Sequence, residues 1–124
     1  MMQGVRGAIT VERDDKEEII AAVVELLSAM QEKNGFQTEA VGAAIFSATD
    51  DLTAGFPAVG ARKLGWVTVP LFGAQEQDVE GALEKCIRVL LLINTDKKQR
   101  EIEHVYLRGA KVLRPDLSKY AEGR

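Results

Sequence analysis

The stretch Cys86-Ile87-Arg88-Val89-Leu90-Leu91-Leu92-Ile93-Asn94 constrains this chain more than any other. A strand sends successive side chains to opposite faces. Ile87, Val89, Leu91 and Ile93 make one apolar face, and Cys86, Leu90 and Leu92 make a second. A strand that is apolar on both faces needs cover on both. The rest of the chain offers one long and one short helix, enough for one face of a sheet. The second cover is expected from further copies of the chain, so a homo-oligomer is the expected state.

The other elements follow from local patterns. Gly4 to Glu12, with Val5, Ile9 and Val11, predicts a first strand. Asp14 followed three residues later by Glu17 matches a capping box. Ile19/Ile20, Val23/Val24, Leu26/Leu27 and Met30 then recur at helical spacing, and Asn34-Gly35 is a stop, which predicts an amphipathic helix over 15–33. A helical turn is expected at Thr38–Val41 and a second strand at Ala43–Thr49. Pro57 opens, and Gly65 follows, a short helix ending at Leu64. Trp66 to Phe72 predicts a third strand whose Pro70 marks an edge or a bulge. An irregular loop over Gly73–Gly81 precedes the apolar strand. His104–Leu107 and Ala110–Leu113 predict a last strand or a hairpin. The order β–α–β–α–β–β–β describes an α+β domain, a five-stranded mixed sheet with both helices on one face. At 124 residues the chain is one domain, expected over 1–117, with a mobile tail over 118–124.

Composition removes whole classes of function. Lys plus Arg number 16 and Asp plus Glu 19, a formal charge of −3, without the basic stripe of a nucleic-acid binder. One cysteine (Cys86) and one histidine (His104) form neither an intramolecular disulfide nor a closed zinc site. Met1 to Gly7 has no apolar targeting region, and the longest apolar run falls far short of the roughly 20 residues of a membrane helix. A cytoplasmic protein without a membrane partner is expected. No P-loop, G-x-G-x-x-G or G-x-S-x-G occurs. Cys86 opens an apolar strand and reads as inert core. His104 reads as a structural or surface residue. The pairs Asp14-Asp15 and Asp50-Asp51 read as caps and turns. No nucleophile, metal site or cofactor site is evident.

One residue breaks the apolar strand. Arg88 lies between Ile87 and Val89, and a buried guanidinium is costly unless paired. Two readings stand: a structural ion pair or a side chain snorkelling to water, or an anion site built on bidentate carboxylate recognition. Glu76, in the preceding loop, is a candidate partner. Arg6, Arg62 and Arg114 fall at the ends of elements. Each alone reads as a surface charge; together with Tyr106 they make a candidate pocket for a small dianion.

The blocks Val5-Arg6-Gly7-Ala8-Ile9-Thr10-Val11-Glu12, Ser47-Ala48-Thr49-Asp50-Asp51-Leu52, Phe56-Pro57-Ala58, Gln75-Glu76, Cys86-Ile87-Arg88-Val89, His104-Val105-Tyr106-Leu107 and Leu113-Arg114-Pro115-Asp116-Leu117 occur in order. In these the chain resembles the small monofunctional bacterial chorismate mutases of the trimeric type, from Val5 to Leu117. The resemblance implies conversion of chorismate to prephenate, without a cofactor, in the synthesis of phenylalanine and tyrosine. It also implies a homotrimer forming a pseudo-α/β barrel, with active sites at subunit interfaces. Carried onto this chain, it makes Arg88 the donor to the substrate ether oxygen. Glu76 accepts from the substrate hydroxyl and orients Arg88. Arg6 and Tyr106 bind carboxylate. Phe56 and Ala58 line the site from a neighbouring subunit, where Arg62 assists with the ring carboxylate. Leu71, Phe72 and Gly73 are further substrate-binding positions, and Leu113 and Arg114 belong to a segment closing the mouth. Two positions depart from relatives: Val59 stands where a Lys is common, and Gly73 where a Cys occurs. The alternatives are a Rid-type imine hydrolase and a trimeric module that binds a small dicarboxylate without turning it over.

Overall fold

The computed structural model describes residues 1–114. The strands are β1 (Met2–Thr10), β2 (Val41–Ala48), β3 (Leu71–Gln75), β4 (Cys86–Asn94) and β5 (Val105–Leu107), and the helices are α1 (Lys16–Asn34) and α2 (Pro57–Lys63). Short 3-10 turns cover Thr38–Ala40, Gln99–Glu101 and Arg108–Leu113. The sheet order is β3-β2-β4-β1-β5. The doubly apolar strand β4 is the centre, antiparallel to both neighbours, while β3 and β5 add in parallel at the edges. The sheet is therefore mixed, as expected. No helix among the described residues is long and apolar enough to cross a membrane.

The two faces of β4 have different fates. Ile87, Val89, Leu91 and Ile93 are buried on the helix side with Val5, Ile9, Phe46 and Val105, under Val23, Leu26, Leu27 and Met30 of α1. Burying such side chains contributes roughly 1.5–3 kcal/mol each before entropy is counted. On the outer face only one end is covered. There Ala8, Cys86 and Ala110 form a second small cluster with Leu83, Tyr106 and Leu113. Leu90 and Leu92 stay half-buried, and Phe72 on the same face is 66% exposed.

Local chemistry sets the boundaries. Asp15, one residue later than the capping box placed it, caps α1 by accepting from the Glu18 amide at 3.0 Å. Asp14 instead accepts from Thr53 and Ala54, which ties the loop before α2 to the start of α1. Gly35 ends α1 in the left-handed conformation, φ 67°. Strand β2 begins at Val41, and an irregularity between Val41 and Ala43 lets both Val41 and Ala44 face the core.

Two expectations are corrected. Strand β3 begins at Leu71 and not at Trp66. Trp66 turns inward after Gly65 (φ 98°), is buried, and meets Phe36 edge to face at 6.2 Å. Residues 110–113 form no strand, because Arg108 adopts φ 54° directly after β5 and turns the chain into the 3-10 segment. The boundary expected at residues 115–117 and the tail over 118–124 lie outside the described residues.

Helices α1 and α2 meet where Gly60 has no side chain. A Cβ there would stand 2.6 Å from Val23 Cβ and 3.0 Å from the Ile20 carbonyl oxygen. Gly60→Ala is expected to lower stability by about 1–3 kcal/mol through overpacking, read from the urea midpoint. Gly73→Ala, whose Cβ meets nothing within 4 Å, is expected to leave that midpoint unchanged or slightly raised.

Candidate active site

The site is a product of strand register. On the outer face one transverse row runs Ala74–Ser47–Arg88–Ala8–Tyr106, one residue from each of the five strands. The next row runs Phe72–Ile45–Leu90–Arg6. Small side chains therefore flank the central arginine. They leave a cavity of about 360 Å³ whose walls include Arg6, Ala8, Ser47, Arg88, Tyr106 and Leu113.

Glu76 follows β3 directly, and its amide donates to the Ala48 carbonyl at 2.9 Å. Its Oε1 accepts from Ser47 Oγ at 2.5 Å and lies 3.6 Å from Arg88 Nε. That Nε is buried and has no hydrogen-bond partner among the described residues, while the side chain as a whole is 42% exposed. One edge of the guanidinium thus faces a carboxylate inside the protein. The ion-pair reading of Arg88 therefore holds, and the side chain also reaches the open cavity.

Arg6 is fixed through its backbone. Its amide donates to His104 Nδ1 at 2.9 Å, just before β5 begins to pair with β1. The residue before His104 is held by a buried amide: Asn34 donates to the Met30 and Glu103 carbonyls and accepts from the Glu103 amide, each at 2.9 Å. Burial, and secondarily the charge of Arg6, push the His104 imidazole below its usual range. The thiol of Cys86 is pushed up, chiefly by burial, which agrees with an inert core role.

Of the residues singled out in the sequence, Arg6, Arg88, Tyr106 and Leu113 line one cavity, and Glu76 adjoins it. Arg114 follows Leu113 directly. Phe72 shares the outer face. Leu71 and Gly73 share the other register of β3, where Leu71 packs on the core. Phe56, Ala58 and Arg62 lie at α2; Phe56 is 77% exposed, Arg62 is exposed, and none of the three lines this cavity. Ser47 escaped the sequence reading, while His104, read as a structural or surface residue, is structural. Ser47 was detectable as the polar residue in an otherwise apolar or small strand. The bond from Arg6 to His104 spans 98 residues and left no local signal. Among the described residues no cluster of three or more His, Cys, Asp or Glu could hold a metal ion.

The family model "Chorismate mutase type I" matches residues 2–117. The chain belongs to the type I chorismate mutase family. It is 53% identical to chorismate mutase AroH of Thermus thermophilus over 118 residues, which covers 94% of this chain and 97% of that protein. Against chorismate mutase AroH of Bacillus subtilis (strain 168) identity is 50% over 119 residues, 95% and 94% of the two chains. A solved chorismate mutase from Clostridium thermocellum superimposes with a TM-score of 0.87 at 48% identity, over 89% of this chain and 98% of that one. The fold described above is thus that of a solved chorismate mutase.

His104 is expected to make the stability of this family member sensitive to acid. Folding favours the neutral imidazole, so its contribution to stability is full above the ordinary value near 6.5 and is lost as pH falls through the lowered folded value. His104→Asn keeps an acceptor and does not titrate. Thermal melts from about pH 7.5 to about pH 5 are expected to show the unaltered protein losing stability relative to this variant. Parallel curves would assign the acid sensitivity elsewhere.

Proposed function

We propose that the Arg88 cavity is where this chorismate mutase converts chorismate to prephenate. The observation that carries this reading is the transverse row: a central guanidinium between small residues, with one edge on Glu76, facing a cavity that also holds Arg6 and Tyr106. The reaction is an intramolecular Claisen rearrangement. One ether C–O bond breaks as one C–C bond forms within a single molecule, so no nucleophile or proton relay is required. The protein must hold a flexible dicarboxylate in a compact reactive geometry. It must also meet the negative charge that grows on the ether oxygen.

The geometry supports a role for each part. Glu76 faces the Nε edge of Arg88 as an ion pair at 3.6 Å, and the two Nη atoms carry four N–H bonds that serve as donors for the substrate. Arg88 donates to the ether oxygen as its charge develops. Arg6 and Tyr106, from β1 and β5, hold a carboxylate across the cavity from Glu76. Leu113 and Arg114 close the mouth.

The working unit in this reading is a cytoplasmic homotrimer, a pseudo-α/β barrel feeding aromatic amino-acid synthesis. The half-buried Leu90 and Leu92 and the exposed Phe72 supply an outer face for neighbouring subunits to cover. Phe56, Ala58 and Arg62 at α2 are then the neighbour's contribution to each site, and Leu71, Phe72 and Gly73 of β3 are further substrate-binding positions. Gly73 leaves open space where a side chain would stand, and Val59 adds no charge, so substrate affinity is where these departures act.

The test is loss of chorismate absorbance in the ultraviolet, with prephenate identified as the product. Arg88→Ala is expected to lower kcat/KM by at least about 10²–10³-fold, with light scattering still reporting a trimer. Arg88→Lys is expected to recover little, because an ammonium cannot reproduce a planar fork held on one edge. Absence of acceleration by the unaltered protein would reject the activity, unchanged turnover in Arg88→Ala would move the site, and a stable monomer would reject the assembly.

A further inference from the structure

We propose that Ser47 is a positioning residue of this site, acting on Arg88 through Glu76; the inference rests on the reading of that pair given above. Ser47 and Arg88 are direct cross-strand partners on β2 and β4. In an antiparallel pair such residues stand side by side on one face. The outer face of β2 is otherwise Ala43 and Ile45, so the hydroxyl is its only polar side chain. It points to one place: Oγ donates to Glu76 Oε1 at 2.5 Å, within the range of strong O–H···O⁻ hydrogen bonds.

The same carboxylate oxygen faces Arg88 Nε at 3.6 Å, beyond hydrogen-bond reach, and that Nε finds no other partner among the described residues. Ser47 and Arg88 therefore address one oxygen, and the hydroxyl holds it closely. Glu76 sits at the end of a short edge strand, and its backbone is tied to β2 by one amide bond to Ala48. A glutamate side chain has three rotatable bonds, so that amide bond alone does not place the carboxylate. The serine hydroxyl does: two consecutive residues of β2, Ser47 by its side chain and Ala48 by its carbonyl, clamp the glutamate at both ends. Without the hydroxyl the carboxylate is free to leave this rotamer for the second pocket it borders, beside Thr49 and Gln77. It can also close on Nε and draw the guanidinium out of line. Either movement misplaces the donor that meets the ether oxygen, and displacements near 1 Å cost about 10²-fold in rate.

The experiment is steady-state kinetics on chorismate with Ser47→Ala, Ser47→Thr, Ser47→Cys, Glu76→Gln and the double variant Ser47→Ala/Glu76→Gln. The expected result is a fall in kcat of about 10- to 100-fold in Ser47→Ala, with KM moving far less. Ser47→Thr keeps the hydroxyl and should recover most of the rate. Ser47→Cys, a weak donor, should fall between, and it carries the test if Ser47→Ala does not fold. In the Glu76→Gln background the Ser47→Ala change should add little, since the two residues act as one unit. Wild-type kinetics in Ser47→Ala beside an impaired Glu76→Gln would overturn the inference and leave the site intact. Equal losses from Ser47→Ala in both backgrounds would overturn it too, because the serine would then act independently of Glu76. Wild-type kinetics in Glu76→Gln would instead overturn the reading of the pair on which the inference rests.

Discussion

A guanidinium in the central strand of a sheet has to be reconciled with the apolar side chains on either side of it, and most of this fold serves that reconciliation. Arg88 cannot face the helices, where Ile87 and Val89 are buried. It takes the opposite face, in a row whose neighbours are Ser47 and Ala8. A larger side chain at either position would fill the space that lets the charge reach solvent or a ligand. Glu76 compensates one edge of the cation, its one ion pair among the described residues, and the side chain, 42% exposed, reaches the open cavity.

The same strand has one finished face and one open one. Its helix-side face is finished by α1 and α2, yet its other face is only partly closed, by Leu113, Leu83 and the 3-10 segment. The Arg88 cavity and the apolar side chains left uncovered thus share one side of one sheet, with Leu90 and Phe72 one row from Arg88 and Ser47. In the proposed assembly, chemistry and subunit contact are coupled through that row. A pericyclic reaction suits this economy, since it asks for shape and charge and makes no demand for a reactive side chain.

What could be read in the sequence follows the range of the forces involved. Strand β4 and helix α1 were legible because apolar side chains repeat at 2.0 and 3.6 residues over long windows. Arg88 stood out because a charge in an apolar run violates that pattern. The start of β3 was not legible: Trp66 is as good a strand residue as a core plug, and only packing on Phe36 and the surrounding core decides which. The turn at Arg108 was hidden for a related reason, since a left-handed arginine has no compositional signature. Within the site, Arg88 and its candidate partner Glu76 were readable from a short stretch of chain. The hold of His104 on Arg6 joins opposite ends of the chain through a parallel pairing that local sequence does not announce.

Because the cavity is written in strand register, this protein tolerates insertions unevenly. A one-residue slip exchanges the two faces of a strand. In β4 it would carry Arg88 into the apolar interior and expose its neighbours, and near the Arg88 end of β2 it would turn Ser47 inward and Phe46 outward. The irregularity between Val41 and Ala43 shows where such a slip can be absorbed: at the far end of β2, beside Leu92 and Ile93, where no site residue depends on the phase. Length variation among related chains should therefore collect at that end of the sheet and in the turns beyond it, while the rows through Arg88 and Arg6 keep a constant count from strand to strand.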